Sequence, residues 1–230
     1  MLDLSDVAQQ RRQCRVREQL DRVLANMGAK LPQSGHRLLG TVLCQLAGQR
    51  TYALEGSVFV AGSLVQWLRD SLGLIASADE TEALARSVPD NGGVVLVPAL
   101  SGLGAPHWDD AARGPVSGLT RGSALAHLAR AAAEAIAYQE SDAFDVMQAA
   151  SGGALRVLLA DGGVTRNAQL MQFQADILGV PVQRNNTPEL SAMGAAYLAG
   201  LATGVWDSTD EIAALPRSVD RFEPRLGAHE

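Results

Sequence analysis

The chain has 230 residues, of which 47% are hydrophobic, 19% charged and 4% aromatic. This length is enough for one large core or two small ones, and it excludes a small scaffold that depends on cross-links. With 23 glycines and 9 prolines, a collagen-like or low-complexity chain is excluded as well. The net charge of −6 argues against nucleic acid as a partner, because nucleic-acid binders carry a basic surplus. An acidic chain still binds a nucleotide where backbone amides create a local positive potential.

Cysteine and hydropathy patterns predict a cytoplasmic protein. Cys14 and Cys44 lie far apart, no CxxC occurs and the four histidines form no ligand pattern, so we expect reduced thiols and no structural metal. The N-terminus becomes polar within its first few residues, which argues against a signal peptide. No apolar run approaches the roughly 20 residues of a membrane helix. We therefore expect no membrane partner.

Residues 1–33 differ in pattern from the rest of the chain. Apolar residues recur at helical spacing among arginines, which predicts a solvated helix with one apolar stripe. A helix that binds a partner is the alternative. The residues of the stripe are Val16, Leu20, Val23, Leu24 and Met27.

Three further patterns follow in the first half of the chain. Two β-branched runs, RLLGTVLCQL and RTYALEGS, are separated by AGQR and predict a hairpin. Apolar spacing then predicts a helix over 58–72, and a short helix over 79–88 is favoured by acidic residues near its start. The continuous apolar run over 93–100 is typical of a buried strand.

Strand and helix patterns alternate through the second half. A strand over 115–120 precedes a long helix from Ser123, a good N-cap residue, to about residue 150. This alternation favours an α/β layer fold. The remaining predicted elements are strands at 155–160 and 180–184, helices at 167–178 and 190–205, and a short helix with a polar tail at 207–230.

The segment LLADGGVTRNAQLMQFQADILG holds the most informative turn. A strand pattern ends at Asp161, Gly162 and Gly163 turn the chain, and a helix begins near Asn167. Without a Cβ, the backbone at these glycines can approach a ligand closely and adopt a positive φ. The helix start leaves unpaired N–H groups at the carboxyl end of a strand, where α/β sheets bind ligands. An ordinary strand-to-helix turn without a ligand is the alternative.

Two weaker candidates come earlier in the chain. Gly62 and Gln66 share one helix face, and a glycine inside a helix, which costs about 1 kcal/mol relative to alanine, indicates close approach by a ligand or tight packing. In the loop GLGAPHWDD, His107, Asp109 and Asp110 either bind a cation or are simply solvated, and solvation is favoured. GxxxxGK[ST] and GxSxG do not occur, which excludes a P-loop and the usual hydrolase elbow.

Several segments together resemble the C-terminal domain of the FGGY carbohydrate kinases, in family order and continuously from about residue 37 to residue 206. The stretch GPVSGLTRGSALAHLARAAAE is similar to the family's second signature, although Ala133 stands where a larger apolar residue is usual. YALEG, GLGAP and LMQFQADILG point to the glycerol-kinase branch rather than to xylulose or gluconate kinases. The matching segments are YALEGSVFVAGSLVQWLRD, VPALSGLGAPHWDDAARG, GLTRG, DGGVTRNAQLMQFQADILG and MGAAYLAGLATGVW.

This resemblance implies an actin-like (ribonuclease-H-like) ATPase domain, a mixed sheet flanked by helices, on which a second domain closes. It maps the family's nucleotide contacts onto Gly62, Gln66, Gly163 and Asn167: Gly163 near phosphate, Gln66 and Asn167 at the nucleoside. ATP is the implied cofactor, with Mg²⁺ whose ligands are not on this chain. The implied organisation is an unrelated helical extension over 1–33, the kinase domain over 34–206, and a short helix with a polar tail over 207–230.

The family's catalytic aspartate lies in a GDQ motif, and GDQ does not occur in this chain. The resemblance therefore implies the nucleotide-binding half of an ATP:glycerol (carbohydrate) phosphotransferase, without a catalytic or metal-binding residue of its own. We expect weak nucleotide affinity and no turnover alone, since positioning and electrostatics supply most of catalysis. Glycerol or a related polyol would bind only with a complementary domain. The alternative is a non-catalytic interaction module that covers an exposed apolar face by forming a homodimer.

Overall fold

The computed structural model describes residues 16–19, 22–33, 35, 37–187 and 190–225. A short 3-10 turn spans Gly163–Arg166. The strands are β1 (Val16–Gln19), β2 (Arg22–Gly28), β3 (Leu39–Leu46), β4 (Gln49–Ser57), β5 (Val95–Leu96), β6 (Val116–Ser117), β7 (Leu158–Ala160), β8 (Val182–Asn185) and β9 (Val219–Phe222). The helices are α1 (Gly62–Asp70), α2 (Glu80–Arg86), α3 (Leu125–Ser151), α4 (Ala168–Leu178), α5 (Leu190–Thr203) and α6 (Thr209–Ala213).

In the described part of the chain, seven strands form one mixed sheet in the order β3-β4-β2-β1-β7-β8-β9. The strands β1, β7 and β8 run parallel to one another, whereas the remaining neighbours pair antiparallel. In the register, β1 and β7 meet at Val16 and Leu158, and β7 and β8 at Leu158 and Val182. The carboxyl end of β7 therefore lies in the middle of the sheet, and the chain leaves it directly into Asp161 and the two glycines.

The predicted hairpin is confirmed as β3 and β4. The turn between the strands contains Ala47 and Gly48, with φ angles of 47° and 78°. Two consecutive positive φ angles give a turn whose twist matches that of the paired strands.

The helix predicted over residues 16–27 is wrong where the structure describes it, because β1 and β2 lie there as an antiparallel pair. Val23 and Ala25 are buried and Leu24 is half-buried between them. A strand covered on both faces does not alternate between apolar and polar residues, so its sequence also fits a helical pattern. Cys14 and the rest of residues 1–15 lie outside the described residues.

The polar tail predicted within 207–230 is also wrong in part. The short helix is present as α6, but Val219–Phe222 then form β9, which pairs with β8 at the edge of the sheet. Residues 226–230 lie outside the described part of the chain. An edge strand is short and polar on its exposed side, so its pattern is easily taken for a tail.

Several predicted boundaries shift. The helix predicted from residue 58 begins at Gly62, and the strands predicted over 93–100 and 155–160 shorten to two and three residues. Ser123 is not the N-cap of α3. Ala124 occupies that position, and the Ser123 hydroxyl instead accepts a hydrogen bond from the Thr120 amide at 2.8 Å.

The long helix α3 is the centre of the core, packed against β2, β4, α2 and α4. It approaches β4 closely because Gly56 faces Ala143: a Cβ at position 56 would lie 3.2 Å from that of Ala143. Buried Gln174 of α4 donates to buried Glu140 of α3 and so links the two helices. Tyr138 of α3 is 55% exposed, and its ring makes an edge-to-face contact with Phe173 of α4 at a centroid distance of 5.6 Å. Among the helices that the structure describes, none combines the length and apolar character needed to cross a membrane.

Candidate functional site

A cavity of about 460 Å³ lies between α1, the start of α2, α3 and the 3-10 turn that leads into α4. Its size is within the range of small-molecule sites. The four residues that the sequence singles out, Gly62, Gln66, Gly163 and Asn167, all line it. Residues separated by about a hundred positions in the sequence thus line the same cavity. The other lining residues are Val65, Arg69, Ala78, Asp79, Thr81, Glu82, Ala129, Ala132, Ala133, Ile136, Val164, Arg166 and Leu170.

The two glycines after β7 have different roles. Gly162 adopts φ 101° and ψ 175°, a conformation that side-chain-bearing residues rarely adopt. Its carbonyl accepts hydrogen bonds from the Thr165 amide at 3.2 Å and the Thr165 hydroxyl at 2.7 Å, which fix the turn. Gly163 has no such backbone constraint, and a Cβ built on it would meet nothing within 4 Å. Its missing side chain therefore leaves the main chain uncovered on the cavity wall.

The start of α4 differs from the expectation of unpaired amides. Asn167 is the N-cap, and its Oδ1 accepts from the Leu170 amide at 3.0 Å. The Ala168 amide donates to Glu82 Oε2 at 3.0 Å, and Glu82 Oε1 accepts from Arg86 Nε at 2.8 Å. A carboxylate is stabilised at a helix N-terminus by the helix dipole. The uncovered backbone on this wall is therefore at Gly163 rather than at Ala168 or Leu170.

Asn167 keeps a polar group on the cavity wall despite its role as a cap. Its Nδ2 donates to Thr81 Oγ1 over a long 3.5 Å contact, and Thr81 is itself buried. Only the oxygen of this amide is committed to the helix start. The NH₂ group is therefore placed to donate to a ligand that displaces or shares the contact with Thr81.

Gly62 and Gln66 lie on α1 as expected, but the energetic argument for Gly62 is wrong. Gly62 is the first residue of the helix rather than an interior one, so the penalty of an interior glycine does not apply. It is buried, whereas Gln66 one turn later is exposed. The Gln66 amide can thus reach a ligand, and Gly62 brings the start of α1 to the cavity without a side chain.

Small residues of α3 make up another wall, which sequence reasoning did not assign to the site. Ala129, Ala132 and Ala133 line the cavity together with Ile136. The signal was present in the sequence, because Ala133 stands where a larger apolar residue is usual. Larger side chains at these positions would project into the open volume.

Charges of both signs surround the cavity. Arg69 is paired with its neighbour Asp70 at 2.7 Å, and the hydrogen bond from Arg69 holds the pKa of the Asp70 carboxyl below its usual value. Arg166 is exposed, and Glu82 contributes its carboxylate beside the start of α4. A carboxylate accepts hydrogen bonds and repels anions. The end of the cavity beside Glu82 is therefore suited to hydrogen-bond donors rather than to phosphates.

The loop GLGAPHWDD is a separate feature and lines no part of the cavity. Asp109 Oδ1 accepts from the amides of Ala111 and Ala112 at 3.0 Å each, and His107 Nε2 lies 3.1 Å from Asp142 Oδ2. Within the described ranges, no group of three or more His, Cys, Asp or Glu residues could hold a metal ion. Asp109 thus stabilises its own turn.

Comparisons with known proteins give the context of this cavity. A model of the FGGY family of carbohydrate kinases, C-terminal domain, matches residues 23–203. Glycerol kinase of Nitratidesulfovibrio vulgaris (strain DP4) is 59% identical over 204 residues, which cover 89% of this chain and 41% of that protein. Glycerol kinase of Deinococcus radiodurans is 55% identical over 208 residues, 90% of this chain and 42% of that protein.

Solved structures of carbohydrate kinases also superpose on this chain. Plasmodium falciparum glycerol kinase with ADP superposes with a TM-score of 0.84 at 33% identity, covering 94% of this chain and 44% of that one. Xylulose kinase of Rhodospirillum rubrum gives a TM-score of 0.73 at 27% identity over 96% and 45% of the two chains.

The chain spans about two fifths of the length of the curated relatives that it matches. The match to the family model begins at residue 23, within β2, and so includes part of the segment that the sequence analysis placed before the domain. The predicted actin-like fold with its mixed sheet is confirmed. The chain therefore belongs to the FGGY family of carbohydrate kinases and corresponds to their C-terminal domain.

Proposed function

We propose that this chain is the nucleotide-binding half of an enzyme that transfers a phosphoryl group from ATP to glycerol. The observation that carries the proposal is the cavity, whose wall brings together Gly62, Gln66, Gly163 and Asn167. The similarity to glycerol kinases supports it, since one of the similar structures was solved with ADP.

The chemistry of the cavity wall favours one orientation of the nucleotide. The phosphates lie along the uncovered backbone at Gly163, where an amide can approach them without an intervening side chain. The nucleoside lies toward Gln66 and Asn167, whose amide groups donate and accept hydrogen bonds. Glu82, at this second end, accepts from a hydroxyl or an amino group and disfavours the reverse orientation.

The chain's own residues bind and orient the nucleotide. Bound ATP supplies the phosphoryl group, and the cavity fits it in size and in the open backbone at Gly163. Within the described ranges, no group of three or more His, Cys, Asp or Glu residues could hold Mg²⁺. The GDQ sequence expected to supply the catalytic aspartate does not occur in these 230 residues. A complementary domain would supply that base and the glycerol site.

Calorimetric titration of the purified chain with ADP tests the proposal. We expect saturable binding with a Kd below about 1 mM, equivalent to about −4.1 kcal/mol. ADP at a hundred times its Kd should raise the free energy of unfolding by about 2.7 kcal/mol, measurable by urea denaturation. The absence of both effects at millimolar ADP would contradict nucleotide binding and favour the interaction module.

Turnover is tested separately, with ATP, Mg²⁺ and glycerol in an assay coupled to ADP release. Because phosphoryl transfer depends on positioning and on a group that accepts the hydroxyl proton, we expect no glycerol-dependent ADP release from the chain alone. Robust turnover would contradict the assignment of the base to another domain. Light scattering on the same sample reports whether the chain forms the alternative homodimer.

A further inference from the structure

We infer that Arg184 is a positioning residue for the nucleotide: it holds the 3-10 turn in the place where Gly163 meets the phosphates. The inference rests on the proposed function and adds a residue to its site. Arg184 lies on β8, lines no part of the cavity and therefore acts through the turn rather than on the ligand.

The contacts of Arg184 converge on the end of the turn. Its Nη1 donates to the Thr165 carbonyl at 2.7 Å and to the Arg166 carbonyl at 3.1 Å. Its Nη2 donates to the carboxylate of Asp220, and the guanidinium carbon lies 5.4 Å from the centre of the Phe222 ring. One planar cation thus joins the turn to two residues of β9.

The turn needs such an anchor because it is too short to hold itself. A 3-10 segment of four residues forms few internal hydrogen bonds, and its last carbonyls are left without helical partners. The first end of the turn is fixed by Thr165, which donates twice to the Gly162 carbonyl. Arg184 fixes the other end, so both ends of the segment that carries Gly163 are restrained.

Arginine is suited to this role in a way that lysine is not. Its planar fork donates in several fixed directions and stays charged, whereas an ammonium is a compact point charge. The side chain is only 18% exposed, which strengthens its hydrogen bonds relative to water. The hydrogen bond from Arg184 also keeps the pKa of the Asp220 carboxyl below its usual value.

Arg184 is itself held in place by residues of β9, a strand that lies outside the match to the family model. The match ends at residue 203, whereas Asp220 and Phe222 lie on β9. Asp220 pairs with Arg184 in the register of β8 and β9, so the two side chains meet across neighbouring strands. The edge strand therefore belongs to the structure that positions the nucleotide.

The experiment compares R184Q with R217Q by calorimetry, using ADP and adenosine as separate ligands. Arg217 is the matched control, because it donates to the carbonyls of Ile212 and Ala213 at the end of α6, away from the cavity. We expect R184Q to weaken ADP binding about tenfold, because it removes hydrogen bonds made by a charged group. The affinity for adenosine should stay within about twofold of that of the unaltered chain. R217Q should leave the affinities for both ligands unchanged. If R184Q does not fold, D220N removes the charge of the partner and should weaken ADP about threefold.

The difference between the losses of ADP affinity and of adenosine affinity distinguishes a positioning role of Arg184 from a general structural one. Equal losses of ADP and adenosine affinity, or no loss of either, would overturn the assignment of Arg184 while the unaltered chain still binds ADP. Failure of the unaltered chain to bind ADP would overturn the proposed function and this inference with it. A loss confined to ADP in R184Q or D220N, with R217Q unchanged, supports the assignment.

Discussion

Replacement of Gly163 by valine is expected to weaken ADP binding at least about a hundredfold, equivalent to about 2.7 kcal/mol, while the chain remains folded. The backbone at position 163 is outside the left-handed region, and a Cβ there meets nothing within 4 Å. The protein thus accepts a side chain at this position. That side chain occupies the space through which the proposed phosphates reach the main chain. Calorimetry gives the affinity, and urea denaturation verifies that stability is unchanged.

Gly153 offers a matched control for this substitution. It is exposed, its backbone is also outside the left-handed region, and its Cβ would likewise meet nothing within 4 Å, but it does not line the cavity. We expect Gly153→Val to bind ADP as the unaltered chain does. If Gly163→Val retains the affinity of that control, the phosphates do not lie at Gly163.

Replacement of Gly104 by alanine is expected to lower the free energy of unfolding by roughly 3 kcal/mol, because overpacking against rigid backbone is destabilising. A Cβ at position 104 would lie 2.0 Å from the Ser57 carbonyl oxygen at the end of β4. The same carbonyl accepts a hydrogen bond from the Ala105 amide at 2.7 Å. The loop cannot move away without losing that bond. Urea denaturation monitored by circular dichroism measures the change.

Gly153→Ala serves as the control for the stability measurement and should change the free energy of unfolding by less than about 1 kcal/mol. A Gly104→Ala variant as stable as this control would mean that the loop GLGAP shifts freely. The expected loss of stability in Gly104→Ala instead assigns this loop a structural role, because the loop packs against the end of β4. Such a role accounts for a glycine-rich loop that lines neither the cavity nor a metal site.

Local signals in the sequence were sufficient for part of this fold. The β3–β4 hairpin follows from two β-branched runs around Ala47 and Gly48, and the start of α4 follows from Asn167, a strong N-cap residue. Each of these features depends on residues within a few positions of one another. Pattern and capping rules act over that range, but they do not suffice at every helix, since the N-cap of α3 is Ala124 rather than Ser123.

Features that depend on distant partners were not predictable in this way. The strands β1 and β2 carry apolar residues at spacings that also fit a helix, and only their pairing with β7 and β4 distinguishes them from one. The bond from the Ala168 amide to Glu82 joins residues 86 positions apart, and the pair of Arg184 and Asp220 joins residues 36 positions apart. No local pattern reports such contacts, although Glu82 lines the cavity and Arg184 contacts the turn that lines it.

The nucleotide position is tested most directly by the backbone amide resonances of the isotope-labelled chain during titration with ADP and with adenosine. The account predicts that ADP shifts the resonances of Gly62, Gln66, Gly163 and Asn167. Adenosine should shift those of Gln66 and Asn167 but leave Gly163 nearly unchanged. Saturation by ADP with no shift at Gly163, or with shifts confined to residues outside the cavity, would contradict it.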